Sequence, residues 1–121
     1  MRRIKSKDST PELTVRHLVH RLGYRYRLHD HNLPGRPDLV FRGRRKIIFV
    51  HGCFWHVHRH CKLAHVPASR QEYWQPKLQR NRARDGMHRR ALKQLGWSVL
   101  IVWECEVSSA RLTERIRRFL G

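Results

Sequence analysis

Apolar residues recur at Val15, Leu18, Val19 and Leu22, the spacing of one helical face. Thr10 is suited to cap that helix, Pro11 to open it and Gly23 to stop it. Glu12 lies three residues before Val15 and seven before Val19, so its carboxylate falls on the same inward face. A carboxylate there needs a partner or a metal, unless it merely complements the helix dipole. Residues 24–28 alternate as a strand does, and 29–37 form a loop marked by Pro34-Gly35. Asp38 opens a hairpin over 38–50, with its turn at 41–45 and the apolar run Ile47, Ile48, Phe49, Val50 in its second arm. A loop rich in Cys and His follows, to about Pro67.

The pattern turns helical again at Ser69, which with Glu72 makes a capping box. That helix runs to Leu95 and is stopped by Gly96, and Pro76 within it predicts a kink or a restart. Residues 98–103 are the most strand-like run in the chain, and an amphipathic helix over 109–120 carries Leu112, Ile116, Phe119 and Leu120 inward. The order is helix, three strands, long helix, strand, helix. A helical crossover favours parallel pairing of the last strand, which predicts an α/β fold with a mixed sheet flanked by helices.

Length and charge narrow the partners. A chain of 121 residues is one domain by length, 1–121, with residues 1–9 as a basic N-terminal arm. Lys and Arg number 27 against 9 Asp and Glu, a formal charge of +18. Such an excess calls for an anionic partner, with nucleic acid first and an anionic membrane surface second. The chain has no apolar run long enough to span a bilayer, and its start lacks the apolar segment of a signal peptide, so a cytoplasmic location is expected. Three cysteines in a reducing compartment are then metal ligands or buried thiols rather than a disulfide framework.

Four constellations carry candidate chemistry. Cys53, Cys61 and Cys105 with one histidine, His58 or His60, would make a structural zinc site. His58 is preferred, because His60 and Cys61 are neighbours and fit one tetrahedron awkwardly. The alternative is three buried thiols. Asp38, His51 and His56 could serve Mg²⁺ binding and proton transfer, or the histidines could simply contact solvent or phosphate. Phe54 and Trp55 could pack inward or wedge between base pairs. The Lys and Arg residues between 77 and 93 make either a solvated face or a phosphate-binding one.

LPGRPD (33–38), VHGCFWH (50–56), PASRQEYW (67–74), NRARD (81–85) and LGWSVLIVWEC (95–105) closely resemble the very short patch repair endonucleases of bacteria. The resemblance covers nearly the whole chain. It implies a restriction-endonuclease-like core, Mg²⁺-dependent nicking of one strand of double-stranded DNA 5′ to the thymine of a T·G mismatch, and a structural zinc. By the same resemblance, Asp38 and the Val50 carbonyl hold Mg²⁺, and His56 activates the attacking water with support from His51 and Asp85. Glu12 joins that site, and Phe54 and Trp55 intercalate beside the mismatch with help from Met1. Cys53, His58, Cys61 and Cys105 bind zinc. Nucleases of this fold usually carry an acid, one residue and a lysine on the second strand; Phe49 and His51 stand there, so histidine chemistry replaces lysine. The resemblance further implies a mismatch-repair accessory protein as partner and action on the bacterial nucleoid, and nicking one strand needs only a monomer.

Overall fold

A computed structural model describes residues 9–56, 58–59, 61–64 and 71–121. Met1 and the basic arm, His60, and the Ser69 end of the capping box lie outside the described residues.

Helix α1 (Thr10–Arg21) begins one residue earlier than its sequence suggests. Ser9 is extended, and its carbonyl accepts the first helical N–H, from Leu13, at 2.9 Å. Thr10 is therefore inside the helix. At the other end Gly23 takes φ +92°, the Gly23 N–H reaches His20 O and the Tyr24 N–H reaches Val19 O. That double closure satisfies two carbonyls that the helix leaves open. Gly96, at φ +91°, closes helix α2 (Gln71–Gln94) in the same way through Lys93 O and Leu92 O. The helix is not interrupted at Pro76, its sixth residue. The proline lies past the first turn and forfeits one helical hydrogen bond, yet the helix runs on through it.

The sheet has the order β1-β2-β3-β4, made of β1 (Arg27–Leu28), β2 (Leu39–Phe41), β3 (Lys46–His51) and β4 (Ser98–Trp103). The first three strands are antiparallel, and β4 pairs parallel to β3 from Lys46↔Ser98 to His51↔Trp103. β1 is shorter than the run 24–28 because only Leu39 and Val40 of the three-residue β2 face it. Tyr24 and Tyr26 pack against the core from outside the ladder. The closing helix α3 (Leu112–Leu120) starts three residues later than 109, after a short turn.

Period-two alternation sorts the strands onto two faces. Leu39, Phe41, Ile48 and Val102 meet Val15 and Val19 of α1 and Leu112, Ile116 and Leu120 of α3. Val40, Ile47 and Phe49 meet Leu92 of α2 and Trp97. The result is a mixed sheet with α1 and α3 on one side and α2 on the other.

Candidate active site and metal centre

Parallel pairing brings the ends of β3 and β4 to the same edge, with His51 opposite Trp103. The loop after β3 and the 3-10 turn Glu104–Glu106 after β4 therefore emerge side by side. Glu106 fixes that turn: its Oε1 accepts the Trp103 N–H at 2.9 Å and its Oε2 accepts Arg115 Nη1 of α3 at 2.8 Å. Glu104 reaches across to the other loop, where its Oε1 accepts the Cys53 N–H at 3.2 Å.

Between the two loops, Cys53, His58, Cys61 and Cys105 each direct one donor atom inward, all within 4.8 Å of one another. His58 Nδ1 is 3.6 Å from Cys53 Sγ and 3.4 Å from Cys105 Sγ, and its ring stacks on Trp103 at 4.1 Å. The cysteines are free. Cys53 is fully buried, and burial, with the neighbouring thiols adding, pushes its thiol up to about 12. A buried thiolate needs a cation beside it, and three sulfurs with one imidazole nitrogen are the donor set of tetrahedral zinc. The residues fit a metal.

A second group stands behind β3. By strand alternation His51 faces α2 together with Ile47 and Phe49. Its ring lies nearly parallel to that of His56, 3.8 Å away at an 8° tilt. His56 Nδ1 is 2.5 Å from Asp85 Oδ2. Asp85 arrives there because Leu78 and Leu92, seven residues to either side, are the buried residues of α2. His51 is 5% exposed and flanked by Phe49 and Trp103. Burial, reinforced by the neighbouring His56, drives its imidazole down to about 3, with Asp85 opposing. It is neutral at pH 7.

A third group lies where β2 begins. Asp38 Oδ2 accepts the Val50 N–H at 2.6 Å, tying the two arms of the hairpin. Glu12, 2% exposed on the inward face of α1, pairs with Arg16 and lies 2.8 Å from His29 Nε2. His29 Nε2 is also 4.0 Å from Asp38 Oδ1, so one imidazole and two carboxylates meet. Burial raises the Asp38 carboxyl to about 7, with Glu12 adding and the Val50 N–H opposing. Such a carboxylate is short of positive charge, which a hard divalent cation supplies. Asp38, His29, Val50, His51, His56 and Asp85 line one cavity of about 480 Å³, with His88 and Arg89 of α2 also on its wall.

Phe54 and Trp55 are half-buried and belong to neither core cluster. They pack edge-to-face on each other at 5.1 Å and on Trp74 at 5.2 and 5.7 Å. Asn81 of α2 donates to the Trp55 carbonyl at 3.2 Å. The structure thus brings together Glu12, Asp38 and Val50, then His51, His56 and Asp85, and then the thiols with His58. Sequence reasoning missed His29 and gave Trp74 no role. Trp74 carried a signal, being an aromatic in the opening turns of a strongly basic helix. His29 carried none beyond its residue type.

The sequence profile described as DNA mismatch endonuclease Vsr matches residues 1–63. The chain is 50% identical to the type II nicking enzyme V.XorIIP of Xanthomonas oryzae pv. oryzae, over 99% of this chain and 88% of the relative. It is 43% identical to the DNA mismatch endonuclease Vsr of Escherichia coli, over 99% of this chain and 80% of the relative. It is 36% identical to the type II nicking enzyme V.NmeAIP of Neisseria meningitidis, over 99% and 86%. Family profile and full-length likeness agree with the acid, imidazole and thiol groups gathered at one sheet edge, and the chain belongs to the Vsr family of DNA mismatch endonucleases.

Proposed function

We propose that this chain is a Mg²⁺-dependent endonuclease that nicks one strand of double-stranded DNA at a T·G mispair, 5′ to the mispaired thymine, on a restriction-endonuclease-like core pinned by structural zinc. The observation that carries the reading is the shared cavity. A cation-short carboxylate, Asp38, and an acid-backed imidazole, His56, open onto the same 480 Å³.

Asp38 and the Val50 carbonyl are the groups that would hold Mg²⁺, with Glu12 beside Asp38 through His29. Bound there, the ion neutralises charge on the scissile phosphate and acidifies a water. The remaining work falls to the chain. His56 Nδ1 is occupied by Asp85, so Nε2 is the atom that takes the proton from the attacking water. Asp85 stabilises the imidazolium that results. His51 stacks under His56, fixes its plane, and, being neutral, does not repel the arriving proton.

The aromatic ledge of Phe54 and Trp55 supplies the wedge that enters the stack at a mispair, where unstacking is cheapest, with Met1 of the arm assisting. Exposed Arg80, Arg82, Arg84, Arg89 and Arg90 of α2 supply phosphate contacts. A monomer suffices for one nick. Action on the bacterial nucleoid and a mismatch-repair accessory protein are the setting and partner that this reading brings with it.

A panel of duplexes carrying T·G, the other mispairs and full pairing, incubated with Mg²⁺, tests the reading. Nicking is expected at T·G alone, and Asp38→Ala should remove it while mismatch binding stays measurable. Equal cutting of paired duplex, or unimpaired nicking by Asp38→Ala, overturns it.

A further inference from the structure

His29 sits at a left-handed φ of +46°, uncommon outside glycine, though histidine adopts it more readily than most side chains. Its N–H reaches Asp38 O at 3.3 Å, and its side chain, 18% exposed, is turned toward the two carboxylates rather than to solvent. Nε2 stands 2.8 Å from Glu12 Oε2 and 4.0 Å from Asp38 Oδ1. Asp38 Oδ2 is already engaged by the Val50 N–H, so Oδ1 is the oxygen left to face the imidazole. Donors around an ion with bonds of about 2.1 Å lie roughly 3 Å apart when adjacent and roughly 4 Å apart when opposite. The observed spacings fall within that span. Among the described residues two carboxyl groups, Glu12 and Asp38, stand against the guanidinium of Arg16.

We propose that Glu12, His29 and Asp38 form a mixed carboxylate–imidazole seat, so that the catalytic ion site of this chain prefers a first-row transition ion such as Mn²⁺ over Mg²⁺. The inference rests on the reading of Asp38 as the cation's ligand. Mg²⁺ is served by hard oxygen donors and gains little from an imidazole. Transition ions take nitrogen readily, with affinity rising from Mn²⁺ along the series. With the tautomer set so that Nε2 carries its lone pair, the atom that now hydrogen-bonds Glu12 becomes a ligand.

The test uses the full chain with its thiol site loaded with zinc and Mn²⁺ as the probe. Electron paramagnetic resonance follows Mn²⁺ binding, competition gives the Mg²⁺ affinity, and spin-echo modulation reads any directly coordinated nitrogen. In the parent protein, coupling to a coordinated imidazole nitrogen is expected. His29→Gln should lose that coupling and weaken Mn²⁺ binding roughly ten-fold or more while moving Mg²⁺ much less. Coupling that persists in His29→Gln, or equal weakening of both ions, overturns the proposal. Should His29→Gln fail to fold by circular dichroism, the parent spectrum decides alone, and an all-oxygen signal is the negative result. Asp38→Asn separates the two readings. If it leaves Mn²⁺ binding intact, the ion lies elsewhere and the assignment of Asp38 fails; if it removes binding while His29→Gln changes nothing, only the imidazole seat fails.

Discussion

Asp85 holds a single imidazole nitrogen, and the first prediction follows from that contact. Asp85→Asn keeps the shape but loses the charge that stabilises the His56 imidazolium. Single-turnover nicking at T·G should fall by on the order of 10²-fold, with duplex affinity little changed. Asp38 and His51 give a second, with opposite signs. The folded Asp38 carboxyl is held near 7 against 3.8. Its contribution to stability is therefore full below pH 3.8 and is lost as pH rises through 7. His51 is held near 3 against 6.5, so its contribution is full above pH 6.5 and is lost as pH falls toward 3. Between about pH 4 and 6.5 the two slopes oppose, each at most about 1.4 kcal/mol per pH unit. Asp38→Asn removes one of them. Without divalent ions, the variant should gain stability over the parent steadily from pH 4 to 7, and urea midpoints across that range check it. Glu12 was legible because helical spacing puts it on the buried stripe; Asp85, read through the family resemblance, also stands in line with Leu78 and Leu92. His29 was not, because its direction depends on a positive φ in a loop, which no periodicity encodes.

At the scale of elements, Cys53 is the one described residue of the loop after β3 that is buried in the core. The loop is held by contacts to Glu104 and Cys105 in the turn after β4. If the thiol site holds zinc, as proposed, a competing chelator should lower the melting temperature and abolish nicking even with Mg²⁺ restored, and added zinc should rescue both. A melting temperature that ignores chelation would show that no metal staples the loop. Pro76 gives a prediction that does not involve the site. A proline at the sixth position of α2 forfeits one helical hydrogen bond, so Pro76→Ala should stabilise the fold by roughly 1–3 kcal/mol in urea titration. The helices and the central strands were readable from period and punctuation. The length of β1 was not, since it is set by how much of β2 is free to pair. Nor was the helix start at Ser9, because Ser9 and Thr10 are both good caps and only the backbone chooses between them.

At the scale of the molecule, the charge of +18 governs how DNA is met. Affinity for a T·G duplex should fall linearly with salt on logarithmic axes, and replacing exposed Arg82 and Arg90 with alanine should flatten the slope by up to about 0.9 for each lost phosphate contact. An unchanged slope would assign those side chains to solvent. This much was plain from composition, as was the mixed sheet from the order of elements. The meeting of Cys105 with Cys53, His58 and Cys61 was less plain, because it depends on the register as well as the direction of the parallel pairing of β3 with β4. That pairing also gives the sheet an idle end. There Lys46 bonds the Phe119 carbonyl and Arg44 Nε donates to Leu120 O at 3.1 Å, so the end of α3 is anchored at the opposite end of β3 from His51, roughly 17 Å along the strand. A molecule tethered to a bead or carrying a fluorophore at Gly121 would therefore present the proposed DNA-cutting side outward, and turnover equal to that of the untethered protein is the expected outcome.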